Sequence, residues 1–363
     1  MKITELLTEA VKARIDHPED IAWQEGSKGV KRAMQALADV LVNPQRTSIK
    51  WDGSPALIFG RNANGEVIIT DKSGFGAKGY DGKARSQQAL RKMLTARDPN
   101  DPARAKYAST IASLWPIMSK AIPADLRGYY QGDLLWVGTP QVEDDKFVFK
   151  PNKVTYRIPV KSELGKRIAV SKMGMVVHGF FPDESTAEPT AITDVGALQG
   201  NPQFVVLGAE MPGVSAQKAP KPQIPATTGI DELLDPAQLK AAQLTNLGAL
   251  IGRYIAALAG AGEGSYANAA KGFITWLDNS GESPKKVANA KSWIADHTTG
   301  YNNLWRAIAA ISAYKTQIKS QLDKQTSGEI SASIGELQGH EGYVAATPHG
   351  KIKLVDRHVF MRK

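Results

Sequence analysis

Between Met211 and Ile230, four prolines (Pro212, Pro220, Pro222, Pro225) interrupt the chain. No helix interior or central strand tolerates that spacing, so the stretch is read as a linker. The character of the sequence changes across it. Before it, helical segments (Ala22–Val42, Ser86–Thr95, Ala103–Lys120) are interspersed with short apolar runs set between Gly, Asn and Asp turns, which is a strand pattern. After it, Asp231 to Lys324 is rich in Ala and Leu at helical spacing (Gln238–Leu258, Tyr266–Leu277, Pro284–Asp296, Leu304–Leu322) and reads as a small helical bundle. The end returns to strand, with Gly339–Ala346 and Lys351–Asp356 flanking the turn Thr347-Pro348-His349-Gly350. The expected fold class is α+β, antiparallel sheets flanked by helices, with the bundle inserted. The expected divisions are 1–210, a linker over 211–230, a helical insertion over 231–326 and a closing hairpin over 327–363.

Composition removes several alternatives. The chain has 363 residues, enough for two domains, and no cysteine, which excludes disulfides, thiolate zinc sites and cysteine nucleophiles. It holds no apolar run of about 18 residues, so no membrane span is expected. Met1–Ala10 is too short and too charged for a secretory signal. A net charge of +9 is compatible with a polyanionic partner.

Several stretches carry chemistry. Thr47–Gly60 reads as strand, tight Asp52-Gly53 turn, strand, with Lys50 placed just before the turn. A lysine desolvated by strand walls becomes a nucleophilic amine, whereas a solvated one is an ordinary surface charge; the motif alone allows both. Asp71–Gly79 is rich in Gly and Lys, suited either to close approach of phosphate with Lys72 and Lys78 supplying charge, or to a surface loop. Tyr129–Val137 is a buried-strand pattern broken by Asp133, an acid that needs a partner: a salt bridge, or a ribose or metal contact. Phe147–Lys150, Val154–Val160 and Met175–Phe181 are further strands. Lys351 and Lys353, two apart on one strand, present paired cations, which serve either a ligand or edge protection. The helical block adds Lys285, Lys286, Lys291, Arg306, Lys315 and Lys319, with Trp276, Trp293 and Trp305 nearby; tryptophans at such spacing are core or stacking platforms.

Taken in order, these stretches resemble the covalent nucleotidyltransferase superfamily of ATP-dependent DNA and RNA ligases and mRNA capping enzymes, in a phage-type member, across most of residues 47–206 and 337–357. Lys50-Trp51-Asp52-Gly53 matches the nucleophile motif. Asp71-Lys72-Ser73-Gly74, Gln131-Gly132-Asp133-Leu134 and Val176–Phe181 are similar to the motifs that follow it. Glu341-Gly342-Tyr343-Val344 and Lys351-Ile352-Lys353 match the last two. The resemblance implies attack of Lys50 on the α-phosphate of ATP, giving lysyl-AMP, then transfer of AMP to a 5′-phosphate end and sealing by a 3′-hydroxyl. It implies catalytic roles for Lys50, Asp52, Lys351 and Lys353. It also implies nucleotide contacts from Gly53, Lys72, Asp133, Phe180 or Phe181, and Glu341, with Glu341 holding Mg²⁺.

The departures are specific. Pro55 stands where these enzymes carry an arginine, with Arg61 the nearest substitute, and Ser48 stands where Glu is frequent. Only ten residues follow Lys353, too few for a C-terminal OB domain. This tilts the expectation toward RNA over DNA. The alternatives are a capping-like transferase using GTP or ATP, and a non-catalytic nucleic-acid-binding or internal virion protein on the same fold. Met1–Ala10 reads either as an amphipathic helix on the domain or as a leader similar to the capsid-targeting leaders of large tailed phages, with Leu7-Thr8-Glu9-Ala10 the prohead-protease pattern. A monomer is expected, in the host cytoplasm if phage-encoded or packaged in the virion.

Overall fold

The computed structural model describes residues 15–192, 194–209, 215–219, 221–326, 330–335 and 337–360. The leader-like Leu7-Thr8-Glu9-Ala10 lies outside them. In chain order the elements begin with α1 (Pro18–Val42), β1 (Thr47–Lys50), β2 (Ala56–Arg61), β3 (Val67–Asp71), α2 (Lys72–Phe75), α3 (Gln87–Thr95), α4 (Pro102–Ser113) and α5 (Trp115–Ala121). Then come β4 (Gly128–Val137), β5 (Gln141–Glu143), β6 (Lys146–Phe149), β7 (Thr155–Pro159), α6 (Glu163–Ala169), β8 (Met173–Phe181), β9 (Thr190–Ala191) and β10 (Phe204–Gly208). The helical block is α7 (Ile230–Leu233), α8 (Pro236–Ala241), α9 (Leu247–Gly260), α10 (Ala269–Leu277), α11 (Pro284–Asp296) and α12 (Thr298–Thr326). The chain closes with β11 (Ser331–Ile334), β12 (Leu337–Gln338), β13 (Gly342–Thr347), β14 (Gly350–Val355) and α13 (Arg357–Phe360). The fold is α+β. No helix among the described residues is long and apolar enough to cross a membrane.

The helix starts follow local chemistry. Ser86, Asp101, Ser162, Asp235 and Ser283 each accept a backbone N–H of the first turn through the side chain, and proline occupies the first turn of α1, α4, α5, α8 and α11. The expected helix over Gln238–Leu258 is two helices, α8 and α9. Gln243 between them takes a left-handed backbone at φ 57°, which a continuous helix cannot contain.

The chain forms two compact units. One comprises Met1–Ile49, Met211–Thr326 and Glu341–Lys363; the other Lys50–Glu210 and Ser327–His340. In the first, α1 packs along α12, and Ile21, Val30, Met34, Leu37 and Leu41 of α1 and Leu304, Ile308, Ile311, Ile318 and Leu322 of α12 are all at most 2% exposed. The three-stranded sheet runs in the order β1-β13-β14.

Buried charge ties this unit together. Glu19 pairs with Lys315 at 2.7 Å, and Lys315 also donates to the Val355 carbonyl at 2.8 Å. Arg357 pairs with Asp20, and the Tyr343 hydroxyl donates to Asp323 at 2.7 Å, itself 2.8 Å from Lys319. Burial opposes ionisation of Glu19, but Lys315 and then Arg357 outweigh it and pull its pKa down to about 2. The closing hairpin therefore belongs with α1 and α12. Lys315 and Lys319, two of the cations the sequence gives the helical block, are 2% and 7% exposed and spent on these pairs.

The second unit contains two sheets. A six-stranded sheet runs β10-β8-β4-β2-β3 with β9 on β8; β10 is parallel to β8 and the other pairs are antiparallel. One face, carrying Leu57, Phe59, Ile69, Tyr130, Leu134, Met175 and Val206, is buried with Leu90, Leu94, Ile111 and Met118 from α3–α5. The other face carries Ile58, Ile68, Tyr129 and Phe181, closed at that end by Phe75 of α2. The antiparallel second sheet runs β12-β11-β7-β6-β5. It meets this same face at its far end, where Trp136 lies 4.8 Å from Phe149, which stacks on Tyr156 at 5.4 Å.

Candidate active site

The residues from Lys50 to Pro55 do not form the expected hairpin. β1 and β2 belong to different sheets, and the segment between them is a connection. The reason lies in Asp52. Its carboxylate closes no local turn and instead accepts three amide donors from a loop a hundred residues away: Asn152 Nδ2 at 2.9 Å, Lys153 N at 2.5 Å and Val154 N at 2.8 Å. The Asp52 N–H donates to the Tyr156 hydroxyl at 2.7 Å, and Trp51 packs on the Tyr156 ring at 4.8 Å. Trp51 and Asp52 are thus fixed to the β6–β7 end of the second sheet.

Gly53 to Pro55 are fixed to the first. Ser54 N–H donates to the Leu134 carbonyl at 2.8 Å, and Leu134 N–H to the Pro55 carbonyl at 3.0 Å. Gly53 lies so close to β4 that an added Cβ would sit 2.6 Å from Asp133 Cβ. Any side chain at this position pushes the segment off the strand. Five consecutive residues, beginning next to Lys50, therefore span the two sheets.

On the shared face, Gln131 and Asp133 alternate outward from the core side of β4. Asp133 has the partner its burial required: His178 Nε2 lies 3.1 Å from Asp133 Oδ2. His178 follows core-facing Met175 and Val177 on β8 and so faces this side by simple alternation, while the bulge between Val177 and Gly179 shifts the facing of Phe180 and Phe181 after it. Phe180 and Phe181 pack elsewhere. Phe180 meets Tyr130 edge-on at 5.2 Å, and Phe181, 5% exposed, sits 4.8 Å from Phe75. The ring of β8 beside Asp133 is His178.

Lys72 is exposed on α2. The glycine-rich stretch around it is ordered by packing: Asp71 caps Gly74 N at 2.8 Å and pairs with Arg97, while Gly74 and Gly82 approach so closely that a Cβ on Gly74 would lie 2.5 Å from the Gly82 carbonyl. Arg61 cannot stand in for the missing motif arginine. Its guanidinium donates to the carbonyls of Pro123 (2.8 Å), Gly65 (2.7 Å) and Ile122 (3.4 Å).

Glu341, Lys351 and Lys353 belong to the other unit. Glu341 is 8% exposed and immediately precedes β13. Lys351 and Lys353 share the face of β14 opposite the fully buried Ile352 and Leu354. Among the described residues no group of three or more His, Cys, Asp or Glu could hold a metal on its own. Sequence reasoning missed Asn152, Tyr156 and His178, and nothing local marks them: each acquires its role from a partner dozens of residues away.

The model of a family of unknown function, DUF6267, matches residues 13–247. That is more than half of the chain, and the chain belongs to this family. The matched stretch contains Lys50, Asp52, Asp133 and His178; Glu341, Lys351 and Lys353 lie beyond it. No curated protein and no solved structure matches the chain.

Proposed function

We propose that the protein is an ATP-dependent polynucleotide ligase acting through a lysyl-AMP intermediate, with RNA ends favoured over DNA. The observation that supports this reading is the anchoring of Trp51–Pro55 to both sheets of one unit, which fixes the backbone next to Lys50 beside Asp133 and His178. A reactive amine benefits from such placement, because positioning supplies much of the rate in group transfer. In the proposed step Lys50 Nζ attacks the α-phosphorus of ATP. A P–N bond forms, the P–O bond to the β-phosphate breaks, pyrophosphate leaves with the electron pair, and the amine loses a proton. Asp133 is assigned to the ribose, held in orientation by His178. Mg²⁺, which prefers oxygen ligands, would neutralise charge on the phosphates when bound.

The test is label transfer. Protein, Mg²⁺ and α-labelled ATP or GTP are incubated and run on a denaturing gel beside Lys50→Ala, with a pyrophosphate-treated sample to strip any AMP already attached. The expected result is a labelled band with ATP that Lys50→Ala lacks. Label from GTP alone would replace ligation by a capping-like transfer. No label after pyrophosphate treatment would leave a binding protein.

A further inference from the structure

The helical part of the first unit carries a groove that this chemistry does not use. Asn268, Lys271, Gly272, Thr275, Trp276 and Asn279 line an open groove of about 640 Å³ along α10. Their spacing is that of one helix face. Of the three tryptophans in the helical block, Trp305 is 2% exposed, and Trp293 is occupied, its ring on His297 at 3.8 Å and its N–H on the Leu233 carbonyl at 3.0 Å. Trp276 differs. It is half-buried, its inner side meeting Tyr254 at 5.5 Å and Phe273 at 5.9 Å, with the Arg253 guanidinium 5.5 Å over the ring. Arg253 is in turn held by Glu282 at 2.8 Å and by the Ser280 carbonyl, so the indole and its cation are set before any ligand arrives.

The charges point to an anion. The lining holds one lysine and no carboxylate. The nearby acids are already neutralised: Asp278 by Lys291 at 2.6 Å, and Glu282 by Arg253 at 2.8 Å and Lys286 at 3.3 Å. Lys271 makes no ion pair among the described residues. A cation, a preset indole and two side-chain amides in one groove are the elements of single-strand recognition, in which bases stack on aromatics and phosphates meet cations.

We propose that this groove binds single-stranded nucleic acid, with a base on Trp276, a phosphate on Lys271, and the amides of Asn268 and Asn279 toward base edges. The site goes beyond the nucleotidyl-transfer reading and does not need Lys50. It is tested with the full chain by fluorescence anisotropy, using labelled oligo-dT and oligo-U of about 15 nucleotides. Trp276→Ala and Lys271→Glu are each expected to weaken binding about 10-fold or more, and Lys271→Glu to lower the salt slope by about 0.7. Asn279→Ala, a surface change that spares the core, is expected to weaken it about 3-fold. Lys106→Glu, the same charge reversal at an exposed site of the other unit, and Lys50→Ala are expected to bind like the wild type; thermal melts establish that every variant is folded. The ratio of oligo-U to oligo-dT affinity distinguishes an RNA from a DNA ligand. The proposal is overturned if neither oligonucleotide binds, if the folded groove variants bind like the wild type, or if Lys106→Glu weakens binding as much as Lys271→Glu. Retained binding by Lys50→Ala separates this site from the proposed chemistry.

Discussion

The two units treat charge in opposite ways. In the first, Glu19, Asp20, Lys315 and Arg357 are buried against one another, so each desolvated charge is neutralised by an opposite one. In the second, the Asp52 carboxylate is held by two backbone N–H groups and a side-chain amide. Mutual ion pairs lock elements together. Neutral donors position a carboxylate and its neighbours without enclosing them in a charge network, which is what a reacting centre needs. The contrast teaches that abundance of buried charge marks the scaffold here, and sparse polar anchoring marks the candidate site.

Substitutions can break this contrast, beginning with the largest effect. Lys50→Ala should abolish nucleotide labelling in protein that remains folded, as circular dichroism and a cooperative unfolding transition establish; a variant that unfolds would make Lys50 structural. Lys315→Ala should do the reverse. It leaves buried Glu19 with only the longer Arg357 contact at 3.6 Å, at a cost of up to about 3–5 kcal/mol, while the protein that remains folded still labels. Asp52→Ala strands two backbone N–H groups and should cost about 1–3 kcal/mol together with a loss of labelling of up to about 100-fold, because the segment beside Lys50 loses its anchor. Comparing its unfolding midpoint with its labelling rate separates the two contributions.

The smallest effect concerns acid. Burial, then Arg357, pushes the His17 pKa down from its ordinary value of 6.5 to about 2. Between those values the unfolded chain binds a proton at His17 that the folded chain does not, so stability falls as pH drops below 6.5. Glu19, also depressed to about 2, adds to the loss once pH falls below its ordinary value of 4.5. His17→Gln should flatten the dependence of the unfolding midpoint between pH 6.5 and 5.

What the sequence disclosed follows from how local each signal is. The runs of β4 and β8 and the closing hairpin are written in alternation and turn residues, and each is found close to where the pattern places it. The pairing of β1 is not, because its partner β13 lies nearly three hundred residues on and the Asp-Gly letters imitate a hairpin turn. That Asp133 needs a partner was readable from burial alone. That the partner is His178 was not, since it depends on β4 pairing with β8 some forty residues on. The burial of Lys315 and Lys319 was not read from the helical block's cations; the clue is their place among Ile311, Ile318 and Leu322 on the buried face of α12.

The most direct measurement is the position of the nucleotide on the chain. Protein incubated with ATP and Mg²⁺ is digested and its peptides are mapped by mass spectrometry under conditions that preserve the phosphoramide. The account predicts one modified peptide, carrying AMP on Lys50, lost on treatment with pyrophosphate. AMP on any other residue, or a Lys50 peptide that stays unmodified in protein shown to be free of bound nucleotide, would contradict it.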